Sequence, residues 1–133
     1  MLIDDLILVE LDSMNEVHKR EIVLLNNLYQ SILDKNIEKI TIDFDIFIED
    51  LKEHFDSEEK KMKEYKFHAL MKHKMAHMQA VLEIRKARTD WDKYKEPEVL
   101  QQYFEEAFKP WLIRHLNGMD TVTAEFLKEA GCE

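Results

Sequence analysis

The sequence predicts an all-α fold: an antiparallel, up-down four-helix bundle with an N-terminal arm, read as one domain over residues 1–133. Only 2 Gly and 2 Pro interrupt the chain. Because these residues break regular elements, their scarcity beside many Leu, Glu, Lys, Ile and Met favours long helices over a sheet with many turns. Four long segments also repeat apolar residues at helical spacing. Their short connections place neighbouring helices antiparallel.

The first predicted helix runs from about Ser13 to Asp34 and the second from about Thr41 to Tyr65, with Thr41 or Asp43 expected as the cap of the second. Glu21 is the one polar exception in the first apolar stripe. The apolar residues of the two helices are Val17, Leu24, Leu25, Leu28 and Ile32, then Phe44, Phe47, Ile48, Leu51, Phe55 and Met62. The polar Asp34-Lys35-Asn36 is expected to end the first helix.

The third predicted helix runs from about His68 to Thr89, and the polar stretch 90–96 is expected to be a loop. Its apolar residues are Leu70, Met71, Met75, Met78, Val81, Leu82 and Ile84. Pro97 suits the first turn of a fourth helix. Pro110 removes a hydrogen bond inside that helix, so a kink or break is expected there. Residues 121–130 are expected to extend the fourth helix.

The N-terminal residues, the net charge and the single cysteine give further expectations. The first dozen residues are expected to pack along the bundle as an arm through Leu2, Ile3, Leu6, Ile7 and Leu8. A net charge of −9 argues against nucleic acid as a partner and against an anionic membrane surface. No apolar stretch approaches the roughly 20 residues that span a membrane. Cys132 is the only cysteine, and acidic residues interrupt the N-terminal apolar run, so we expect a cytoplasmic protein without an internal disulfide or a signal peptide.

Two histidine motifs have the spacing of metal ligands on a helix. His54 and Glu58 are four residues apart, so they share one face, although such a pair is more often a solvated surface pair. His73 and His77 place two imidazoles on one face, which is a recognised metal-binding spacing. Lys74 stands where a zinc protease would need Glu, so a protease of that kind is not indicated.

The remaining histidines are harder to interpret one at a time. His115 and Asp120 are five residues apart, which leaves them about 140° apart on an ideal helix. Gly118, with the nearby Pro110, could loosen the helix enough to turn Asp120 inward. His18 stands alone among apolar residues, where a hydrogen-bonded core histidine is the commoner role. His68 lies nine residues before His77, roughly on the opposite face, and is predicted to stay outside any site.

Taken together, these residues indicate a metal site. Five of the 6 histidines fall in these positions, with at least one on each predicted helix. Imidazole and carboxylate together suit iron, manganese or zinc. Five nitrogens and two carboxylates are too many for one tetrahedral zinc, but they suit two metals that share bridging carboxylates. Without metal, burying such a group of carboxylates would be strongly unfavourable.

The ordered pattern resembles the hemerythrin family, in particular its single-domain bacterial branch. That pattern is His, then His-x-x-x-Glu, His-x-x-x-His and His-x-x-x-x-Asp on successive helices, and it is filled here over almost the whole chain. The sequence His54-Phe55 before Glu58-Glu59, and Trp111-Leu112 before His115, are similar too. Asn15 and Val17 depart from the usual Asp and Gln, His68 stands where Pro is usual, and Pro110 is unusual.

The resemblance implies a ligand set and a function. Two iron ions would be bridged by Glu58, Asp120 and an oxo or hydroxo group. His73, His77 and His115 would fill the coordination of one iron. His18 and His54 would hold the other iron, which keeps an open coordination position. The implied function is reversible binding of molecular oxygen without enzymatic turnover; the oligomeric state is left open.

Reversible binding requires a pocket that is dry and offers no additional acid. Helical adjacency to the ligands suggests these walls: Ile22, Leu25, Leu51, Phe55, Trp111 and Met119. Three alternatives stay open. A di-iron enzyme could act on peroxide or nitric oxide, although the Glu-x-x-His pairs of ferritin-like oxidases are missing. A sensor module would need a partner protein, and a metal-free bundle leaves the seven residues unexplained.

Overall fold

The computed structural model describes residues 1–133 and confirms the all-α, antiparallel four-helix bundle with an N-terminal arm. The chain forms α1 (Asp12–Leu33), α2 (Ile37–Glu64), α3 (Leu70–Tyr94), α4 (Pro97–Tyr103), α5 (Lys109–His115) and α6 (Thr121–Glu129). A π-helical turn at Phe104–Phe108 joins α4 to α5, and another at Leu116–Asp120 joins α5 to α6. Residues 97–129 are therefore helical throughout and form the fourth rod of the bundle, which we call the fourth helical segment. None of the helices is long and apolar enough to cross a membrane.

The second helix begins earlier than predicted, and neither Thr41 nor Asp43 is its cap. Asn36 precedes the helix with an extended backbone, and its side chain accepts a hydrogen bond from the Lys39 backbone N–H. An Asn in this position satisfies one of the free N–H groups of the first turn. The residue that was expected only to end α1 thus also begins α2.

The third helix continues through most of the stretch that was predicted to be a loop. Trp91 lies in this extension, is 3% exposed, and donates its indole N–H to Thr41 Oγ1 at 2.9 Å. The packing of this large side chain outweighs the polar character of its neighbours, which suggested a loop. Because Trp91 near the end of α3 contacts Thr41 near the start of α2, the two helices run antiparallel.

Pro110 does not break the fourth helical segment. The π-helical turn before it lengthens the hydrogen-bonding step, so that the Lys109 N–H donates to the Phe104 carbonyl. Wider turns of this kind relieve the crowding and the missing hydrogen bond that a proline introduces into a helix. Of the expected kink or break, the break does not occur, because an irregular but hydrogen-bonded turn accommodates the proline.

The apolar residues of α3 do not all face the core, in contrast to the prediction. Ile84 is fully buried, but Met71, Met75, Met78 and Leu82 are each more than half exposed. The buried face of α3 is instead lined by His73, His77, Ala80, Ile84 and Trp91. Two histidines thus occupy positions that apolar side chains would take in an ordinary bundle.

The N-terminal arm packs on the bundle as predicted. Leu2 and Ile3 belong to the main core, and the Asn26 side chain pairs with both the N–H and the carbonyl of Ile3. Asn15 makes the same two-way contact with Val9, at 2.8 and 2.9 Å. This contact needs a donor and an acceptor on one side chain, which an amide provides and a carboxylate does not. Leu8 is the exception within the arm, since it is exposed.

Two apolar clusters leave room for a polar region between them. The larger cluster contains the aromatic rings of Phe44, Phe47, Phe104 and Phe108. The smaller cluster joins the arm and α1 to the last helix; its members are Val9, Leu11, Met14, Ala124, Leu127 and Cys132. On α1, His18 and Glu21 lie between residues of the smaller and the larger cluster, which places the polar residues inside the bundle.

Candidate metal centre

All seven predicted ligands converge in the interior of the bundle. They form two groups, in each of which the ligand atoms lie within 4.8 Å of one another. One group is Glu58, His73, His77, His115 and Asp120, and the other is His18, His54, Glu58 and Asp120. Glu58 and Asp120 belong to both groups. Two neighbouring metal positions that share two carboxylates fit this arrangement.

Regular helical spacing brings the α2 and α3 residues together. His54 and Glu58 face the same point from α2, with His54 Nε2 2.9 Å from Glu58 Oε2. His73 and His77 reach it from α3, at 2.8 and 3.5 Å from Glu58 Oε1. Residues four apart lie on one face of an α-helix, so the two sequence motifs account for this half of the site.

In the fourth helical segment, a π-helical turn brings the two ligands together. His115 directly precedes the turn Leu116–Asp120, Asp120 is its last residue, and His115 Nε2 is 3.1 Å from Asp120 Oδ1. A π-helical turn contains one more residue than an α-turn, so residues five apart share a face. The Thr121 hydroxyl donates to the Leu116 carbonyl at 2.8 Å and satisfies an acceptor in the widened turn. The irregularity expected near Gly118 is present, because Gly118 lies within this turn and Asp120 is turned inward, although Gly118 itself has no positive φ.

Hydrogen bonds on the outer ring nitrogens orient three of the imidazoles. His54 Nδ1 donates to Glu21 Oε2 at 2.6 Å, and His77 Nδ1 donates to Glu59 Oε2 at 2.9 Å. His73 Nδ1 pairs with Thr123 Oγ1 at 2.8 Å. Each of these contacts directs the Nε2 atom of the ring towards the centre of the bundle. Second partners of this kind fix which nitrogen of a histidine is free to bind a metal.

Unpaired polar atoms mark the centre of the site. Of the seven buried side-chain atoms without a hydrogen-bond partner, six belong to His18, Glu58, His77 and Asp120. His18 Nε2 lies 3.2 Å from Asp120 Oδ2, yet the two atoms make no hydrogen bond. Buried polar groups are rarely left unpaired, because each costs about 1–3 kcal/mol. Several lone pairs directed at a common point are what bound cations require.

Distances between the inner nitrogens also fit a metal. His73 Nε2 and His115 Nε2 are 3.1 Å apart. Two nitrogens that bind one metal at about 2.1 Å and at a right angle would be roughly 3.0 Å apart. The residues therefore fit a metal pair in number, kind and spacing, and imidazole with carboxylate suits iron among other first-row ions.

The pKa values of the site reflect strong coupling between acid and base. Burial lowers the pKa of His54, but Glu21 and Glu58 outweigh it and raise this pKa well above the usual value. In the same way, Asp120 and Glu58 overcome burial and raise the pKa of His73 to about 9. Burial raises the pKa of Glu58, but a hydrogen bond with His54 and close contacts with His73 and His77 hold it well below its usual range. Without metal, the site therefore holds protons where cations would bind.

The pKa of Asp120 is lowered as well. Burial and the charge of Glu58 raise it, but contacts with His115, His18 and His73 prevail. Both shared carboxylates thus favour the charged form, which is the form that bridges metal ions.

Aromatic rings cover the candidate ligands on one side. Phe55 stacks on His77 with ring centroids 3.9 Å apart, and Trp111 stacks on His115 at 4.7 Å. Of the other predicted walls, Leu25 and Leu51 are fully buried in the main core and Ile22 is packed against it. Met119 lies in a surface cavity of about 290 Å³ beside His73. The interior around the ligands is therefore largely apolar.

Some residues of the site were not predicted. Glu21, Glu59 and Thr123 contact ligand nitrogens, although none of them was predicted to belong to the site. Glu21 carried a signal, since it interrupts an apolar stripe. Thr123 carried none, because a threonine on a helix is ordinary. His68 is exposed and lies outside both groups of ligand atoms.

Comparison with known proteins gives an informative match. No protein-family model matches the chain. Among curated proteins, the chain is 37% identical over 114 residues to Bacteriohemerythrin from Aquifex aeolicus (strain VF5). The match covers 86% of this chain and 87% of that protein, so it extends over most of both chains and is not limited to a single motif.

Proposed function

The chain belongs to the hemerythrin family, and from that premise we propose that it binds molecular oxygen reversibly at a non-haem di-iron centre. The proposed ligands are His18, His54, Glu58, His73, His77, His115 and Asp120. We further propose that residues 1–133 act as one oxygen-binding domain in the cytoplasm, as a carrier or store without catalytic turnover.

One observation supports a pair of metals over a single ion. Glu58 and Asp120 each offer oxygens to both groups of ligand atoms. Glu58 Oε2 faces His54, while Glu58 Oε1 faces His73 and His77. Asp120 likewise directs Oδ2 at His18 and Oδ1 at His73 and His115. One oxygen of each carboxylate towards each group is the geometry of two bridging ligands.

The uneven distribution of histidines supports a division of roles. His73, His77 and His115 would hold one iron, and His18 and His54 would hold the other. The second position has one protein nitrogen fewer, which leaves room for a small ligand. When bound, the iron pair would supply the electrons that hold oxygen reversibly. Five imidazoles with only two carboxylates place less negative charge on that pair than a carboxylate-rich oxidase site does.

Low exposure of the proposed ligands supports a dry metal centre. Phe55 and Trp111 cover His77 and His115, and every proposed ligand is at most 5% exposed. Glu21, the one further acid that is buried against a ligand, accepts the Nδ1–H of His54. Oε2 of Glu21 thereby contacts the Nδ1 side of the His54 ring, away from Nε2, which faces Glu58. A dry site without a free proton donor would slow the release of peroxide, which leaves the site oxidised and inactive.

Iron analysis and oxygen uptake test this proposal together. Protein reconstituted with Fe²⁺ under anaerobic conditions should hold two irons per chain and take up one oxygen molecule per iron pair. Glu58→Ala should lower the iron content sharply, whereas His68→Ala, on an exposed histidine, should leave it at two. Fewer than two irons in the unaltered protein, or continuous oxygen consumption instead of a single uptake, would overturn the proposal.

Turnover assays address the enzymatic alternative. A carrier should show no sustained catalytic consumption of hydrogen peroxide or nitric oxide. Sustained turnover of either substrate, lost in Glu58→Ala and kept in His68→Ala, would assign the same centre to an enzyme.

A further inference from the structure

Glu21 is a buried carboxylate that belongs to neither group of proposed ligands. Its side chain is 2% exposed, and its Oε2 atom lies 2.6 Å from Nδ1 of His54, which is 4% exposed. The two residues lie on different helices, so the contact joins α1 to α2 at the site. A buried carboxylate without a partner would be strongly unfavourable, so the pairing with His54 accounts for its presence in an apolar stripe.

The contact determines how His54 can bind a metal. An ionised carboxylate only accepts hydrogen bonds, so Nδ1 of His54 carries the proton. The other nitrogen, Nε2, faces Glu58 Oε2 at 2.9 Å and is the one available to a metal. With the ring held from behind by α1, His54 cannot turn its protonated nitrogen inward.

His54 differs in this respect from the other imidazoles of the site. His73 pairs with the neutral hydroxyl of Thr123, and His77 pairs with Glu59, whose side chain is 19% exposed to water. His18 Nδ1 has no partner. Glu21, a carboxylate that is almost fully buried, is therefore the strongest of these acceptors. It contacts His54, which belongs to the metal position with two histidines instead of three.

A charged acceptor also changes what the imidazole gives to a metal. Drawing the Nδ1–H towards a carboxylate makes the opposite nitrogen a stronger electron donor. A stronger donor favours the more highly charged form of a bound metal, because the ligand offsets more of its charge. Low exposure preserves the effect, since little water screens the contact.

We propose that Glu21 is a positioning residue of the metal centre: it holds His54 with Nε2 towards the metal and stabilises the oxidised state of the iron that His18 and His54 bind. The part that concerns iron rests on the proposed di-iron function. The part that concerns the orientation of His54 applies to any divalent ion in the same ligands.

Three variants separate the charge of Glu21 from its shape. Glu21→Gln keeps an oxygen that can accept the Nδ1–H but removes the charge. Glu21→Leu removes the acceptor and leaves an apolar side chain of similar size. Glu16→Gln is the matched control, because Glu16 is an exposed residue of the same helix. Thermal unfolding of the metal-free forms reports any general loss of structure.

Binding of Co²⁺, a metal that imidazole and carboxylate also accept, tests the orientation of His54. In anaerobic titrations, Glu21→Leu should weaken the binding of one of the two ions about 10- to 100-fold, and Glu21→Gln should restore most of the loss. The visible Co²⁺ bands should change in Glu21→Leu and stay the same in Glu16→Gln. Unchanged Co²⁺ affinity in Glu21→Leu would overturn the positioning role.

The reduction potential of the iron-loaded protein tests the role of the charge. Glu21→Gln should keep two irons but should have a higher midpoint potential than both the unaltered protein and Glu16→Gln. A purely structural role would change unfolding without moving the potential, so equal potentials would overturn this part. If the unaltered protein bound two Co²⁺ ions but its iron form did not take up oxygen, the proposed function would fail while the role of Glu21 in holding His54 would stand.

Discussion

His115 and Asp120 are five residues apart, yet His115 Nε2 lies 3.1 Å from Asp120 Oδ1, because the π-helical turn Leu116–Asp120 places both on one face. In a regular α-helix the two side chains would be about 140° apart. The site thus depends on a local irregularity of the fourth helical segment, and π-helical turns are frequent at functional sites.

Gly118, within this turn, tests whether the turn needs a glycine. A Cβ atom at Gly118 would contact nothing within 4 Å, and the backbone there has no positive φ. We therefore expect Gly118→Ala to raise the free energy of unfolding by about 0.5–1 kcal/mol with unchanged metal content. Gly131, with a φ of +94°, is the matched glycine, and Gly131→Ala should destabilise the protein by roughly 1 kcal/mol. Loss of metal in Gly118→Ala would show that the turn requires glycine flexibility. Chemical denaturation and metal analysis of both variants give the result.

The start of α2 provides a second test. Because the Asn36 side chain accepts the Lys39 N–H, Asn36→Ala should lower the free energy of unfolding by about 1 kcal/mol. Asn27, an exposed residue inside α1, is the control, and Asn27→Ala should have little effect or a slightly stabilising one. Equal effects of the two substitutions in urea denaturation would argue against Asn36 as the cap.

Much of the fold could be predicted from the sequence, and the errors have physical causes. Helical periodicity predicted the four rods, because an apolar stripe must be buried along its length. It also misled on α3, where Met71 and Met75 are exposed and the histidines of the same helix face inward. The polar residues after Thr89 predicted a loop, because local sequence does not reveal that Trp91 is buried.

Only part of the candidate site could be predicted from helical spacing. The pairs on α2 and α3 follow from four-residue spacing alone. His18 and the pair His115 and Asp120 were included through the joint pattern of histidines on four helices and the family resemblance, since a lone histidine and a five-residue spacing carry no geometric signal in an ideal helix. Contacts such as that between Glu21 and His54 depend on how two helices pack, which no single helix pattern encodes.

Phe55 links the packing of the core to the site, since its ring stacks on His77 and is 2% exposed. Phe55→Ala should destabilise the metal-free protein by about 3–5 kcal/mol through the cavity that it leaves. Leu82→Ala is a suitable control, because Leu82 is 63% exposed and its loss should be nearly neutral. A comparable loss in the two variants would show that α3 is rotated so that Leu82 is buried.

The coupled histidines and carboxylates predict how the stability of the metal-free protein depends on pH. In the folded protein the pKa of His73 is raised from 6.5 to about 9, so its contribution is fully present below pH 6.5 and is lost as pH rises through about 9. The pKa values of Glu58 and Asp120 are lowered, so their contribution is present above the ordinary carboxyl range and is lost as pH falls.

Thermal unfolding between pH 4 and pH 10 checks this expectation. The melting temperature of the metal-free protein should be highest from about pH 5 to pH 6.5 and should fall on both sides of that window. In the metal-loaded protein the histidines are held unprotonated on the metal side, so the decline between pH 6.5 and about 9 should disappear. A metal-free protein whose melting temperature does not change over that range would contradict the coupling between His73 and its two carboxylates.

The visible spectrum through repeated cycles of oxygenation and deoxygenation tests the central claim most directly. Protein loaded with two Fe²⁺ ions should be colourless without oxygen, gain a charge-transfer band in air, and lose that band each time oxygen is removed, with its amplitude retained over several cycles. A band that never forms, or one that forms once and cannot be reversed by removing oxygen, would contradict reversible oxygen binding at the seven-residue centre.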